Sequence, residues 1–456
     1  MLPTKQRVYV TGLGVVSTVG CDAKEFWQRL QTGSAHVKAT PGHWRNFYNS
    51  SSQIWSPLTD PQFADYGLSR TDRLLLSKAA QIGLVAATQA AASAKWGPSA
   101  AGAPLGVGPP LGSAKKRAGV FVGTGFGGAP APFDNYGAHL LSGFRQQLQA
   151  RVEADSGDAT AAALLTGLEE HPRVNPLVIC QTMPNALAAQ IAIRFGIQEH
   201  VETTCAACAS GTIAIGKAFR AIQRGELDVA LAGGIEHLGD RAGGVFMGFD
   251  RLNTLAKPFR EMGSENRPFD AERRGFLFSE GGAGIAFLES EASLNTRGGQ
   301  PLAEVLGFAE TNDAYSIAAI SDDQNAIEPM FRQVLLDAGL KPEDIDYINA
   351  HGTGTQINDR VEARILERMF GKRPWVNSTK SILGHTIGAS GALEFIVAVL
   401  SLQHQAVHPC LNLENPIADL NFTLQGGAVP IQTVLTHSFG FGGHNAALVL
   451  GRVEPL

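Results

Sequence analysis

Cys208, Lys380, His351 and His385 are the side chains of this sequence whose types and settings suggest a reacting centre. Each sits at a strand or loop end beside glycine or another small residue. Polar residues so placed, after a buried strand and before a helix, gather at one edge of a parallel sheet. Cys208 lies in VETTCAACASGTIAIGKAFRAIQRG, residues 201–225. Strand-like residues lead into a tight, small-residue segment. A helix follows, with Ile215, Phe219 and Ile222 at the spacing of a buried face and Gly225 as its stop. A cysteine at that junction meets the positive end of the helix dipole, which favours a thiolate and leaves backbone N–H groups for an oxyanion.

Each residue alone has a plainer role. Cys208 could be a small core residue. Cys205-x-x-Cys208 could be half of a zinc site or a redox pair, but no second C-x-x-C or H-x-x-x-H completes a tetrahedron. Either histidine could be a hydrogen-bonded structural residue.

The elements that must position these residues alternate between strand and helix. The chain has 456 residues, enough for two ordinary domains or one large fused core. Strands are expected at Arg7–Thr11, Ala118–Val122 and Asp228–Ala232, the first followed by a glycine-rich turn and the last ended by Gly233-Gly234. Helices are expected near 24–32, 69–92 and 185–195. Gly123-Thr124-Gly125-Phe126-Gly127-Gly128 matches a dinucleotide fingerprint, but APAPFDNYG after it does not read as the helix that motif needs. Tight backbone turns beside a site are the better reading.

A polar connection over 250–274 suggests a division into residues 1–270, carrying the cysteine, and 271–456, carrying both histidines and Lys380. The second half repeats the alternation: strands near 303–309, 346–350 and 375–376, helices near 326–338 and from Asp359, then a glycine-punctuated loop over 377–391. A long helix follows, with Leu393, Ile396, Val397 and Leu400 on its inner face. The pattern implies an α/β fold with mostly parallel sheets. Residues 99–116 form a Gly/Pro/Ala-rich loop or insertion.

Composition narrows the function classes. The chain is 44% apolar and 17% charged, with net charge -5, which gives no reason to expect nucleic-acid binding. Five scattered cysteines point to a reducing, cytoplasmic setting rather than a disulfide scaffold. The most apolar run, 389–402, contains Glu394 and reads as a buried helix, so no membrane span is expected.

Four motifs, in order, resemble the β-ketoacyl-acyl carrier protein synthases, condensing enzymes of the thiolase fold. They are AACASG at 206–211, NAHGTGT at 349–355, STKSILGH at 378–385 and SFGFGG at 438–443. VTGLGVVS near the start and RPFD at 267–270 add to the likeness, which covers nearly the whole chain. The resemblance implies two duplicated βαβαβαββ halves in five layers, α-β-α-β-α. It implies that Cys208 takes an acyl chain, that the N–H groups of Cys208 and Phe441 form an oxyanion hole, and that His351 and His385 stabilise an enolate. Lys380 would hold one histidine, with Asp359, Glu362 and Glu394 as a charge network around it. Thr353 and Thr355 resemble residues that bind a phosphopantetheine arm, and Phe439 and Phe441 belong to the gating motif.

No metal or organic cofactor is implied. The implied partners are an acidic acyl carrier protein, with Arg70, Arg73 and Lys78 as candidate docking cations, and a second copy of the chain. Cys205, the 99–116 segment and FMGFDRLNTL at 246–255 depart from the housekeeping members and suggest a divergent one. The resemblance leaves room for a silent partner subunit or a thiolase acting on coenzyme A thioesters. Silent subunits typically lack the nucleophile, and thiolases use a second cysteine near the C-terminus.

Overall fold

The computed structural model describes residues 5–96, 117–168, 174–322 and 326–453; the segment at 99–116 lies outside them. Strands Val8–Val16, Gly281–Ser290 and Val229–His237 are buried along almost their whole length. Strands apolar on both faces need a helical layer on each side. In the first half the strand order is His200–Thr204, Ala118–Gly123, Val229–His237, Gly281–Ser290, Val8–Val16. In chain order that is third, second, fourth, fifth, first.

The second half runs Trp375–Asn377, Tyr347–Asn349, Thr433–Gly440, His444–Gly451, Ala303–Asn312, with the short strand Asn421–Phe422 added at the edge. Leaving that edge strand aside, the order is again third, second, fourth, fifth, first. The two sets join where Val8–Val10 pairs antiparallel with Ala303–Val305. The repeat therefore changes between Ser290 and Ala303, beyond the polar connection that suggests 270/271. In each half the second strand is parallel to two neighbours, while the last two pairings are antiparallel. The sheets are thus mixed rather than mostly parallel.

Helices Ser210–Gln223 and Ser390–His404 lie between the two sets, in one core with strands of both. Lys78–Ser93 and Asn185–Phe195 cover one outer face, Ile327–Ala338 and Gln356–Phe370 the other. The duplicated five-layer α/β arrangement is present. Ser390–His404 is buried on all sides from Ser390 to Leu402, not on one inner face, because a sheet packs on both flanks. By length and hydropathy Ile387–His404 could cross a membrane; 89% of it is buried inside the protein.

Several glycines read as turns are points of close approach. The first strand runs on through Gly12 and Gly14 to Val16. A Cβ on Gly12 would lie 2.0 Å from the Ala90 carbonyl oxygen, and one on Gly14 1.8 Å from that of Ala86. The missing side chains let Lys78–Ser93 press onto the strand. Gly233 and Gly234 likewise continue their strand to His237.

Two helix readings also change. The expected helix at 69–92 is two, Arg70–Leu75 and Lys78–Ser93. Ser69 and Asp72 form a capping box on the first, and Ser77 caps the second through Ala80 N–H. A helix does open after the glycine-rich loop, over Pro130–Ala154.

Candidate active site

The cysteine segment folds as the sequence suggests. Strand His200–Thr204 leads into a 3-10 turn at Ala207–Ala209 and then helix Ser210–Gln223. Ala207 adopts φ +47°, a left-handed backbone that bends the chain sharply just before the nucleophile. Cys208 is buried, whereas Cys205 is exposed and does not line the cavity that reaches Cys208. Burial pushes the Cys208 thiol up to about 12, with Lys380 and the Phe441 N–H acting the other way. Burial thus works against the thiolate that the helix start favours.

The second half brings its residues to the same point. His385 Nε2 lies 3.1 Å from Cys208 Sγ, and the His351 and His385 rings meet edge to face with centroids 5.5 Å apart. Phe276 packs on His385 and Phe439 on His351. Lys380 Nζ is 3.1 Å from His351 Nδ1, donates to the His351 carbonyl at 2.6 Å and reaches Glu394 Oε1 at 2.5 Å.

Those contacts define the proton positions. Ammonium has no acceptor to offer, so His351 Nδ1 must be the acceptor and Nε2 carries its proton. His385 Nδ1 accepts the Ile387 N–H at 3.3 Å, so its Nε2 also bears the proton. Burial holds both imidazoles well below their ordinary range, and Lys380 adds to this. Two neutral rings thus offer two N–H donors.

The three acids separate. Only Glu394 meets Lys380; burial raises it to about 7, while Lys380 opposes that rise. Glu362 instead accepts the N–H groups of His351 and Gly352, and His437 Nε2 at 2.6 Å. Asp359 accepts those of Thr353, Gly354 and Phe269. Both shape the His351–Thr355 loop rather than fixing Lys380.

A cavity of about 600 Å³ leads to the sulfur, lined by Thr353, Thr355, Phe439 and Phe441 among others. The hydroxyls of Thr353 and Thr355 are 2.9 Å apart. Lys257 and Arg274 also line it, whereas Arg73 and Lys78 line a separate cavity of about 270 Å³. Lys78 is ion-paired with Asp60, and Arg70 and Arg73 are exposed.

Two buried residues escape the sequence reading. His437 backs Glu362 as described. Glu236 accepts Gly125 N–H at 2.6 Å, Phe126 N–H at 3.2 Å, the Thr124 hydroxyl at 3.1 Å and Gly388 N–H at 3.0 Å. The glycine-rich loop therefore spends its N–H groups on a carboxylate of the protein, which leaves none there for a phosphate. A glutamate at a strand end, facing a glycine-rich loop, was the available signal for it.

A duplicated five-layer fold with a cysteine and two N–H-donating imidazoles at one cavity, and a buried lysine behind one of the imidazoles, defines a condensing enzyme of the thiolase-like class. The chain belongs to the β-ketoacyl synthase family. The model of that family's N-terminal domain matches residues 5–293 and that of its C-terminal domain residues 302–414. The 3-oxoacyl-[acyl-carrier-protein] synthase 2 of Coxiella burnetii is 32% identical over 98% of this chain and 99% of its own. Its namesake from Synechocystis is 30% identical over 99% of each. Among solved structures, a β-ketoacyl synthase from Burkholderia phymatum superposes with TM-score 0.80 at 27% identity, over 98% of this chain and all of its own. A type II polyketide ketosynthase, solved with its acyl carrier protein and bound to a hexaketide, gives 0.79 at 27%, over 99% of this chain and all of its own.

Proposed function

We propose that this chain catalyses the decarboxylative condensation of an acyl thioester with a malonyl thioester on acyl carrier protein, in fatty acid or polyketide synthesis. The observation that carries the reading is the meeting of one thiol and two Nε2–H donors at the end of one cavity.

Cys208 sulfur attacks the acyl carbonyl, the carrier thiolate leaves, and the proton lost by Cys208 ends on the carrier thiol. The Cys208 and Phe441 N–H groups hold the oxyanion; the Phe441 N–H already acts to lower the thiol's value. A malonyl thioester then loses carbon dioxide, and the electron pair of the broken bond becomes an enolate held by His351 and His385. Its carbon attacks the acyl-cysteine carbonyl. The sulfur leaves and takes up a proton, giving a 3-oxoacyl thioester. Carbon dioxide release drives the step, and the scheme calls for no metal or organic cofactor.

Thr353 and Thr355 suit the amide-bearing arm of the carrier. Phe441, half exposed between Gly440 and Gly442, is suited to swing; Gly442 and Gly443 have φ +84° and +78°. For carrier docking, Lys257 and Arg274 at the cavity have better support than Arg70, Arg73 and Lys78. Charge reversal at Arg274 should raise the KM for carrier substrates more than reversal at Arg73; the opposite ranking would restore the Arg73 site.

A homodimer is supported by the open edge of strand His200–Thr204, where Val201 is 45% exposed. Val201→Arg should shift the particle toward monomer in sedimentation. Five free cysteines favour a cytoplasmic location.

The deciding test incubates the chain alone with acyl- and malonyl-carrier protein. Product and carbon dioxide are expected in equal amounts. No product would indicate a silent partner subunit, and product without carbon dioxide a thiolase.

A further inference from the structure

Glu236 is fully buried, far in sequence from both histidines, and no step above uses it. Its carboxylate ties two loops together. One is the glycine-rich loop after strand Ala118–Gly123, held through Thr124, Gly125 and Phe126. The other is the 3-10 turn Ile387–Ala389 that follows His385, held through Gly388 N–H.

That second tie bears on the chemistry. Ile387 donates its N–H to His385 Nδ1 and holds φ +49°, a backbone state that a branched residue keeps only when its surroundings impose it. The contacts around the turn leave it no slack. A Cβ on Gly388 would lie 2.3 Å from Gly125 N and 2.5 Å from Glu236 Oε2, and one on Gly125 2.8 Å from Ile387 Cγ2.

We propose that Glu236 is a positioning residue for His385: by pinning Gly388 it keeps the Ile387 N–H on Nδ1, so the imidazole proton stays on Nε2, facing Cys208 and the substrate. The Cys208 and Phe441 N–H groups of the oxyanion hole do not bond to Glu236, which reaches the cysteine turn one step removed, through Thr124 and the Ser210 hydroxyl that the Thr124 carbonyl accepts. The inference rests on the condensing-enzyme reading for its kinetic consequence, though not for its tautomer.

Glu236→Leu tests it. An isobutyl group accepts no hydrogen bond, so the Gly125, Phe126 and Gly388 N–H groups lose their shared acceptor and Gly388 is released. Acylation of Cys208, followed by intact mass, is expected to stay within about twofold, while carbon dioxide release from a malonyl thioester falls about 10- to 100-fold. That range is seen when an outer partner fixing a histidine is removed, at metal-bound histidines. In 15N-histidine-labelled protein, the His385 signals should change from a fixed Nε2–H form to a mixture of tautomers. Gly125→Ala, whose Cβ would displace both Glu236 Oε2 and Ile387, should reproduce the split if the first variant fails to fold.

Equal loss of both half-reactions, loss of neither, or an unchanged His385 tautomer would overturn the proposal. A wild-type enzyme that neither acylates nor decarboxylates would instead sink the condensing-enzyme reading, and the NMR result would still judge the tautomer.

Discussion

The Nε2 of His385 stands 3.1 Å from the sulfur of Cys208, although 177 residues separate them. Because the His385 proton is on Nε2, this contact is an N–H directed at sulfur, not a base awaiting the thiol proton. The histidine pair and the nucleophile therefore do separable work. Cys208→Ala should form no acyl-enzyme by mass spectrometry yet still release carbon dioxide from malonyl thioester. Cys205→Ala should acylate normally. Acylation persisting in Cys208→Ala would move the nucleophile elsewhere.

Both imidazoles are buried beside Lys380, and each is held well below 6.5, the ordinary histidine value. A depressed value means that the neutral form persists as pH falls through the window where a free histidine would charge. The 13C or 15N signals of His351 and His385 should therefore show no titration between pH 8 and about 6, with protonation only at lower pH. Titration of either ring near its ordinary value would show that the site charges at rest and lacks the neutral donor pair.

Lys380 and Glu394 form a buried pair, both almost without exposure. Removing one member of such a pair strands the other, at a cost of about 3–5 kcal/mol. Lys380→Met should lower stability by that order in denaturant unfolding, while Lys380→Met with Glu394→Leu recovers most of it. Decarboxylation should stay low in both, since His351 loses the ammonium that fixes its Nδ1. A double variant with restored turnover would make Lys380 a purely structural residue.

The sequence displayed the alternation of strand and helix, the cysteine at its helix start and the histidines at loop ends, because those depend on local periodicity and small neighbours. Distances across the sheet were hidden. Gly12 and Gly14 look like turn residues until the backbone of Ala86 and Ala90 lies against them. The helix at Pro130 was missed because two prolines and a glycine depress local propensity, although proline is tolerated in a first turn. Asp359 and Glu362 were placed with Lys380 by resemblance, yet they bind the backbone of the His351 loop while Lys380 pairs with Glu394. Glu236 showed only as a glutamate at a strand end; its role was hidden because its four partners come from two segments, one more than 100 residues before it and one more than 150 after.

Gly440 marks where the two halves touch at the nucleophile. A Cβ there would lie 2.6 Å from the Ala206 carbonyl oxygen and 3.2 Å from the N of Cys208. These are backbone atoms that cannot rotate away, so Gly440→Ala must push the end of strand Thr433–Gly440 back from the cysteine turn. Phe441, next in the chain and lining the cavity with Cys208, carries its N–H away with it. Losing one oxyanion donor typically costs about 10²–10³ in rate. Acylation of Cys208 should fall by that order, whereas carbon dioxide release, which depends on His351 and His385, should change far less. Measured side by side by mass spectrometry and carbon dioxide evolution, an unchanged acylation rate would remove Phe441 from the oxyanion hole.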